Sequence, residues 1–307
     1  SGYAISGNVI GAATGNDAIV FRNTNSGNSF YGMYISPGTG TSKAENNIVA
    51  AIKTDNVNQA NSTNLYGIYA SPLSSGVLNL SNNTVGSTTT ANSINANSQA
   101  TGSTGQIVAG IYVPYSVNTA TSNVTGNTVC KITNNAQGGV VSKTDQLIGI
   151  FTGGRYNSIT NNTIYDLNAA TLNNTNGTTI LNTAAVTGIS EYCNLCYSHD
   201  INKNIIYNMN ATNALFTGSV NGIKTVTPNP GGNIKINNNF IYDLKLNPSS
   251  IGASVYGINS TAAYNTYTYN NIITIGEDIP ATYFGIYVSE TGNGYKYEFF
   301  NTVNLKG

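Results

Sequence analysis

Two short apolar patterns alternate along this chain. The first is Asn, any residue, then Ile or Val. It reads GNVI at 7–10, NNIV at 46–49, NNTV at 82–85, GNTV at 126–129, NNTIYDL at 161–167, KNIIYNM at 203–209, NNFIYDL at 238–244, NNII at 270–273 and FNTV at 300–303. The recurring asparagines are Asn8, Asn47, Asn83, Asn127, Asn162, Asn204, Asn239, Asn271 and Asn301. Two residues after each stands a β-branched aliphatic, from Ile10 to Val303. Three residues before them runs another apolar column, Ile5, Ala44, Leu80, Val124, Ile159, Ile201 and Ile236, broken late by Thr268 and Glu298. The second pattern centres on Gly-Ile: YGMYIS at 31–36, YGIYAS at 66–71, AGIYVP at 109–114, IGIFTG at 148–153, TGISEY at 187–192, NGIKTV at 221–226, YGINST at 256–261 and FGIYVS at 284–289.

The spacings carry geometry. From motif glycine to the next motif asparagine is always 13 to 17 residues, whereas asparagine to glycine varies from 14 to 27. One half of each unit is nearly constant and the other is elastic. Short strand-like runs, a turn after each and a fixed half-length describe a solenoid coil. The chain therefore reads as one all-β domain over residues 1–307, of about nine coils of roughly 35 residues with variable loops on one side. Equivalent residues stack into columns, and nine rises of ~4.8 Å span roughly 43 Å. The asparagines are expected to form an amide ladder at a turn where Asn accepts left-handed backbone angles. The Thr/Asn/Ser/Ala-rich stretches 86–104 and 169–183 read as loops. A propeller blade needs four strands per repeat, more than the constant half can hold.

Composition sharpens this picture. Twelve Lys and Arg balance twelve Asp and Glu, and only 8 % of residues are charged. That excludes broad electrostatic attraction to nucleic acid or to an acidic membrane surface. No apolar stretch approaches the ~20 residues of a membrane helix. The chain holds 50 Asn and 33 Gly, which suit turns, and 21 Tyr and 8 Phe without Trp. Hydrophobic residues still reach 40 %, which argues against disorder. The three cysteines, Cys130, Cys193 and Cys196, leave at least one thiol unpaired within the chain. Cys193-x-x-Cys196 lacks a second Cys pair and the chain has one His, so a local disulfide or buried thiols fit better than zinc.

The N-x-[IV] and Gly-Ile columns, as in YNSITNNTIYDL at 156–167, resemble those of the right-handed parallel β-helix proteins of the pectin-lyase-like superfamily, in the style of secreted bacterial surface or adhesin proteins. The resemblance covers almost the whole chain, specifies architecture and leaves activity open. It implies a right-handed coil, in keeping with the chirality of parallel crossovers. It also raises a polysaccharide lyase or hydrolase, the one enzyme class worth testing.

Residue by residue, that chemistry finds little support. Glycoside hydrolysis needs two nearby carboxylates. No Asp-Asp pair occurs, and Glu277-Asp278 precedes Pro280 in what reads as a turn. Asp166 and Asp243 share a repeat position two rungs apart, with Asn208 between, and read as turn residues. Lyases use Arg or Lys as base, yet only Arg22 and Arg155 exist and the lysines are scattered. His199, beside Asp200, aligns with Asn157 and reads as a solvated strand residue. No catalytic, cofactor-binding or metal residues are assigned, and no cofactor is implied.

The remaining feature is aromatic. Tyr34, Tyr69, Tyr112, Phe151 and Tyr287 stand one residue from the buried aliphatic of the Gly-Ile motif, and Tyr165, Tyr207 and Tyr242 from that of the other. These positions are expected to face solvent as two ladders. They are either cross-strand stacks that stabilise the sheet or contact platforms for sugar rings or another protein. A third idea, ice binding on a flat Thr array, meets an irregular outward column: Val9, Ile48, Thr84, Thr128, Thr163, Ile205, Phe240, Ile272 and Thr302. The sequence reading is thus a non-catalytic extracellular or cell-surface solenoid, a stalk, filament or adhesin segment. It is expected to self-associate end to end or laterally, or to continue in a longer chain, because the repeat is running at both ends without polar caps. The alternative is a solenoid that binds or cleaves glycans. No nucleic-acid partner and no membrane insertion are expected.

Overall fold

The computed structural model describes residues 2–306 apart from 25–26, 72–74, 102–104, 115–119, 137–144, 172–184, 193–196, 228–231, 263–264 and 291–293. All regular structure in it is β-strand, in three sheets. Sheet 1 has nine strands, from Ala4–Ser6 to Lys296–Phe299. Sheet 2 has twelve, from Val9–Gly11 to Thr302–Leu305, three of which (Ile19–Asn23, Ile52–Asn56 and Ile94–Ser98) extend it in the first three coils. Sheet 3 has eight, from Ser29–Ile35 to Thr282–Glu290. The chain passes from sheet 1 to sheet 2 to sheet 3 and returns one rung further on, pairing in parallel each time. This is a parallel β-helix of nine coils. No helix is long and apolar enough to cross a membrane among the described residues.

The apolar columns anticipated from the repeat fill the interior. Ile68, Ile111, Ile150, Ile189, Ile223, Ile258 and Ile286 follow one another in register along sheet 3. Val49, Val85, Val129, Ile164, Ile206, Ile241 and Ile273 do the same in sheet 2, each fully buried. The two walls touch at the motif glycine. A Cβ on Gly110 would lie 2.3 Å from Val129 Cγ1 and 2.7 Å from the Gly149 carbonyl oxygen. The glycine is there so that aliphatic side chains of sheet 2 can press against the backbone of sheet 3.

The asparagine ladder forms at the corner between sheets 1 and 2. Each Nδ2 donates to the next rung's Oδ1 at 2.9–3.0 Å, from Asn8 to Asn301 without a break. The same Oδ1 accepts the backbone N–H of the preceding asparagine, as Asn162 Oδ1 does from Asn127 at 2.9 Å. The second Nδ2 proton returns to the preceding coil, as from Asn162 to the Val124 carbonyl at 2.9 Å. One detail of the expectation is corrected. The ladder asparagines are not left-handed; the residue before each is, with φ between 54° and 71° at Gly7, Asn46, Asn82, Gly126, Asn161, Lys203, Asn238, Asn270 and Phe300. That turn swings the asparagine side chain inward, where Asn47 to Asn271 are at most 1 % exposed.

The loops are corrected in part. Ile94–Ser98, inside the stretch read as loop, is a strand between Ile52–Asn56 and the strand Thr128–Ala136. Its Ile94 and Ala96 face the core. Residues 172–184 of the other stretch lie outside the described residues.

Two substitutions test these assignments. Asn162→Ala removes the partners of the Asn127 backbone N–H, of one Asn127 amide proton and of the Val124 carbonyl in the interior. At ~1–3 kcal/mol per unsatisfied buried group, urea denaturation should register a loss of at least about 3 kcal/mol. A loss below about 1 kcal/mol would dismiss the ladder as a stabilising element. Lys203→Asn, at a left-handed position, should instead raise the midpoint by the equivalent of about 0.5–1 kcal/mol.

Candidate functional site

The outer face of sheet 3 carries the first aromatic column. Tyr34 stacks on Tyr69 at 5.5 Å, Tyr69 on Tyr112 at 5.7 Å and Tyr112 on Phe151 at 4.5 Å, all within 16° of parallel. Ser190, Lys224 and Asn259 then occupy the column until Tyr287. Beside it runs a second column that the sequence reading missed: Tyr31 stacks on Tyr66 at 5.5 Å and, near the other end, Tyr256 on Phe284 at 4.8 Å. Its signal was the aromatic immediately before the motif glycine. Edge contacts knit the two columns, as between Tyr31 and Tyr69 at 4.9 Å. On sheet 2, Tyr165, Tyr207 and Tyr242 stack at 5.0 and 4.9 Å within 3° of parallel.

Exposure along the first column falls from 54 % at Tyr34 to 3 % at Phe151, and Tyr287 is 40 % exposed. Solvent exposure therefore holds at the two ends of the set and fails at Phe151. Burial pushes the Tyr112 phenol up to about 12, with Tyr69 adding to it. Tyr66 is raised by burial first and by the neighbouring phenols after that. The stacked rings cover one another's faces and offer mainly edges to the outside. A sugar ring stacks on an aromatic face, so this arrangement fits sheet stabilisation better than a glycan platform.

Lys224, in the interrupted stretch of this column, is 6 % exposed, and burial lowers its pKa to about 8.

The reading of two carboxylates as turn residues is corrected: Asp166 and Asp243 stand inside the strands Thr163–Ala169 and Phe240–Leu246, as left-handed residues within them. Asp166 and Asp243 have φ of 54° and 57°. Asn208 lies between them and donates to Asp166 through its amide, while Lys245 binds Asp243 at 2.9 Å. Glu277 accompanies Asp243 in a cleft also lined by Tyr242, Gly276 and Lys306. Burial raises the Glu277 pKa most, and Lys245 opposes it. The Ile279 N–H donates to the Glu277 carbonyl at 2.8 Å, closing the expected turn before Pro280. Arg22 pairs loosely with Asp55 at 3.9 Å, both on the first sheet-2 extensions, remote from Arg155.

His199 overturns its expectation. It is 1 % exposed, not solvated, and faces Glu191, which is also 1 % exposed. The reason is register. Glu191 stands two residues after Ile189 on Val186–Tyr192, and His199 two before Ile201 on Ser198–Asn202. A period of two turns all four side chains into the interior. The neighbouring coil adds Thr152, paired with Glu191, and Asn157, paired with His199, both buried. Cys130 is a buried free thiol, raised by burial and hydrogen-bonded to Tyr165. Cys193 and Cys196 lie outside the described residues. Among the described residues no three His, Cys, Asp or Glu side chains group as metal ligands.

Comparison with protein-family models, with curated proteins and with solved structures finds no match.

The buried lysine gives a pH test. Its folded pKa lies below the unfolded value of 10.5, so between about 8 and 10.5 the unfolded chain binds more protons. Its contribution to stability therefore rises with pH across that window, by up to about 1.4 kcal/mol per unit. The stability of the native chain relative to Lys224→Met should climb from pH 8 to pH 10. A flat difference would remove the lysine from the titration.

Proposed function

We propose that this chain is a non-catalytic structural solenoid, a stalk, filament or adhesin segment at a cell surface, with the pectin-lyase-like type of coil. The observation that carries this reading is the uninterrupted amide ladder, eight rung-to-rung bonds that link all nine coils. Each rung is completed only by its neighbours, so separating any two coils breaks several buried bonds together. Such a rod resists local opening and proteolysis. Low charge and abundant uncharged amides suit a scaffold exposed to varied ionic surroundings. The candidate carboxylates support it too, since Asp166 accepts from the Asn208 amide, Asp243 pairs with Lys245 and Glu277 opens a turn. Self-association, end to end or lateral, is the partner this reading expects.

Electron microscopy of the isolated chain tests it. The expected particles are rods of roughly 43 Å in coil height, single or joined into fibres, that survive prolonged protease treatment. Rapid digestion throughout the coils, or turnover of a uronate polymer, would overturn the structural reading. Binding on a glycan array that is lost in Tyr34→Ala would replace it with the carbohydrate-binding one.

A further inference from the structure

The outer face of sheet 2 changes character along the rod. Its outward column reads Thr163, Ile205, Phe240, Ile272 and Thr302, in register on five successive rungs. The middle three are 40 %, 40 % and 49 % exposed. Beside them stands the stack of Tyr165, Tyr207 and Tyr242, which ends where Thr274 takes the place of a ring. Phe240 leans on Tyr242 at 4.6 Å, so the two columns form one apolar patch. Neither column carries a charge on these rungs. A contiguous run of exposed apolar side chains without charge marks a contact surface.

The order of the residues says what covers it. From rung to rung, Thr, Ile, Phe, Ile, Thr reads the same in both directions. An isologous contact between two copies needs such a self-complementary patch. We propose that this face pairs with the same face of a second copy of the chain, about a two-fold axis lying along the strand at Phe240. The two rods then run antiparallel. Phe240 meets its own copy, Ile205 meets the partner's Ile272, and Thr163 meets the partner's Thr302. In the second column large meets small. Tyr207 comes over the partner's Thr274, beside a cleft of about 260 Å³ lined by Tyr242, Thr274 and Glu277. Along the edge, Asp166 on the Thr163 rung comes opposite the partner's Lys306, just after the strand of Thr302, and the axis repeats that pair of opposite charges. Asp243, near the axis, is already neutralised by Lys245. Five rungs of ~4.8 Å and strands of up to seven residues at ~3.3 Å give a footprint of roughly 550 Å². Side-chain relief raises the accessible area towards the ~800 Å² per partner of a specific interface. The inference rests on the self-association expected of the structural rod and fixes its face, symmetry and direction.

Analytical ultracentrifugation of the chain at up to about 100 µM tests it, and a dimer is expected. Ile205→Glu and Ile272→Lys each put two charges into the apolar contact and should weaken it at least about tenfold. Both side chains are exposed, so the circular dichroism and melting point of each variant should stay native. Combining the two substitutions should restore the dimer, because the axis brings these positions together across the interface. Within one chain they stand two rungs, ~10 Å, apart. A dimer that tolerates Ile205→Glu would overturn the proposal. So would a double variant no stronger than either single one, since that excludes the antiparallel pairing. A protease-resistant rod that stays monomeric throughout would overturn this proposal alone and leave the structural reading standing.

Discussion

The structure depends on how a parallel coil turns a corner. Along each wall, backbone N–H and C=O groups pair with the rungs above and below. At the corner between sheets 1 and 2 the backbone direction changes, and although the residue before each asparagine and the asparagine carbonyl still pair between rungs, the asparagine N–H has no backbone partner. The asparagine side chain supplies one. Its oxygen accepts the backbone N–H of the preceding asparagine, and its nitrogen caps a carbonyl of the preceding coil, as Asn204 does for Ile159 at 2.8 Å. An amide is the one side chain of this length with both an acceptor and two donors in fixed geometry. A left-handed residue must precede it to aim it inward, and an aliphatic must follow two positions later to return the chain to the core. Gly-Ile completes the circuit on the opposite wall, where the glycine lets Val or Ile from sheet 2 lie against the backbone.

Because this solution repeats, much of the fold is legible in the residues. The nine asparagines, the aliphatic columns and the coil count are all present as spacing. What escaped reading did so for identifiable reasons. The left-handed residue is Asn in five coils, Gly in two, and Lys203 and Phe300 in the others, so no single residue type marks it. The strand Ile94–Ser98 was hidden by composition. Its alternating Ile, Asn, Ala, Asn and Ser look like loop residues, yet the Ile and Ala have neighbours Ile52 and Thr54 on one side and Ile132 and Asn134 on the other. Register supplied a column where composition suggested none.

The outer aromatics follow the same economy of repetition. Parallel rungs bring identical positions to the spacing at which rings stack, so a recurring tyrosine becomes a stack without any selection for a ligand. The near-parallel rings of Tyr165, Tyr207 and Tyr242 are what register alone produces. Ring faces consumed in this way are lost to a sugar.

The interior corner of Glu191 and His199 is a break in the repeat, and alternation places it there. Counting by twos from Ile189 and Ile201 puts both side chains inside, whereas the reading that compared His199 with its neighbour Asp200 took it as solvated. Asp200 does face outward, where the Asn237 amide donates to it at 2.9 Å. A solenoid that stacks Ile on Ile for most of its length has no packing reason to bury an acid and an imidazole together. Replacing such a pair by hydrophobic residues of similar volume is commonly neutral or stabilising. The rungs on either side reinforce the point. Asn157 and Thr152 stand on the coil before, while Ile234 and Thr225 stand on the coil after, and Thr225 is satisfied by Ser260 at 2.8 Å. On the coil before, Asn157 and Thr152 are buried like the pair itself, so the polar interior of this corner spans two rungs.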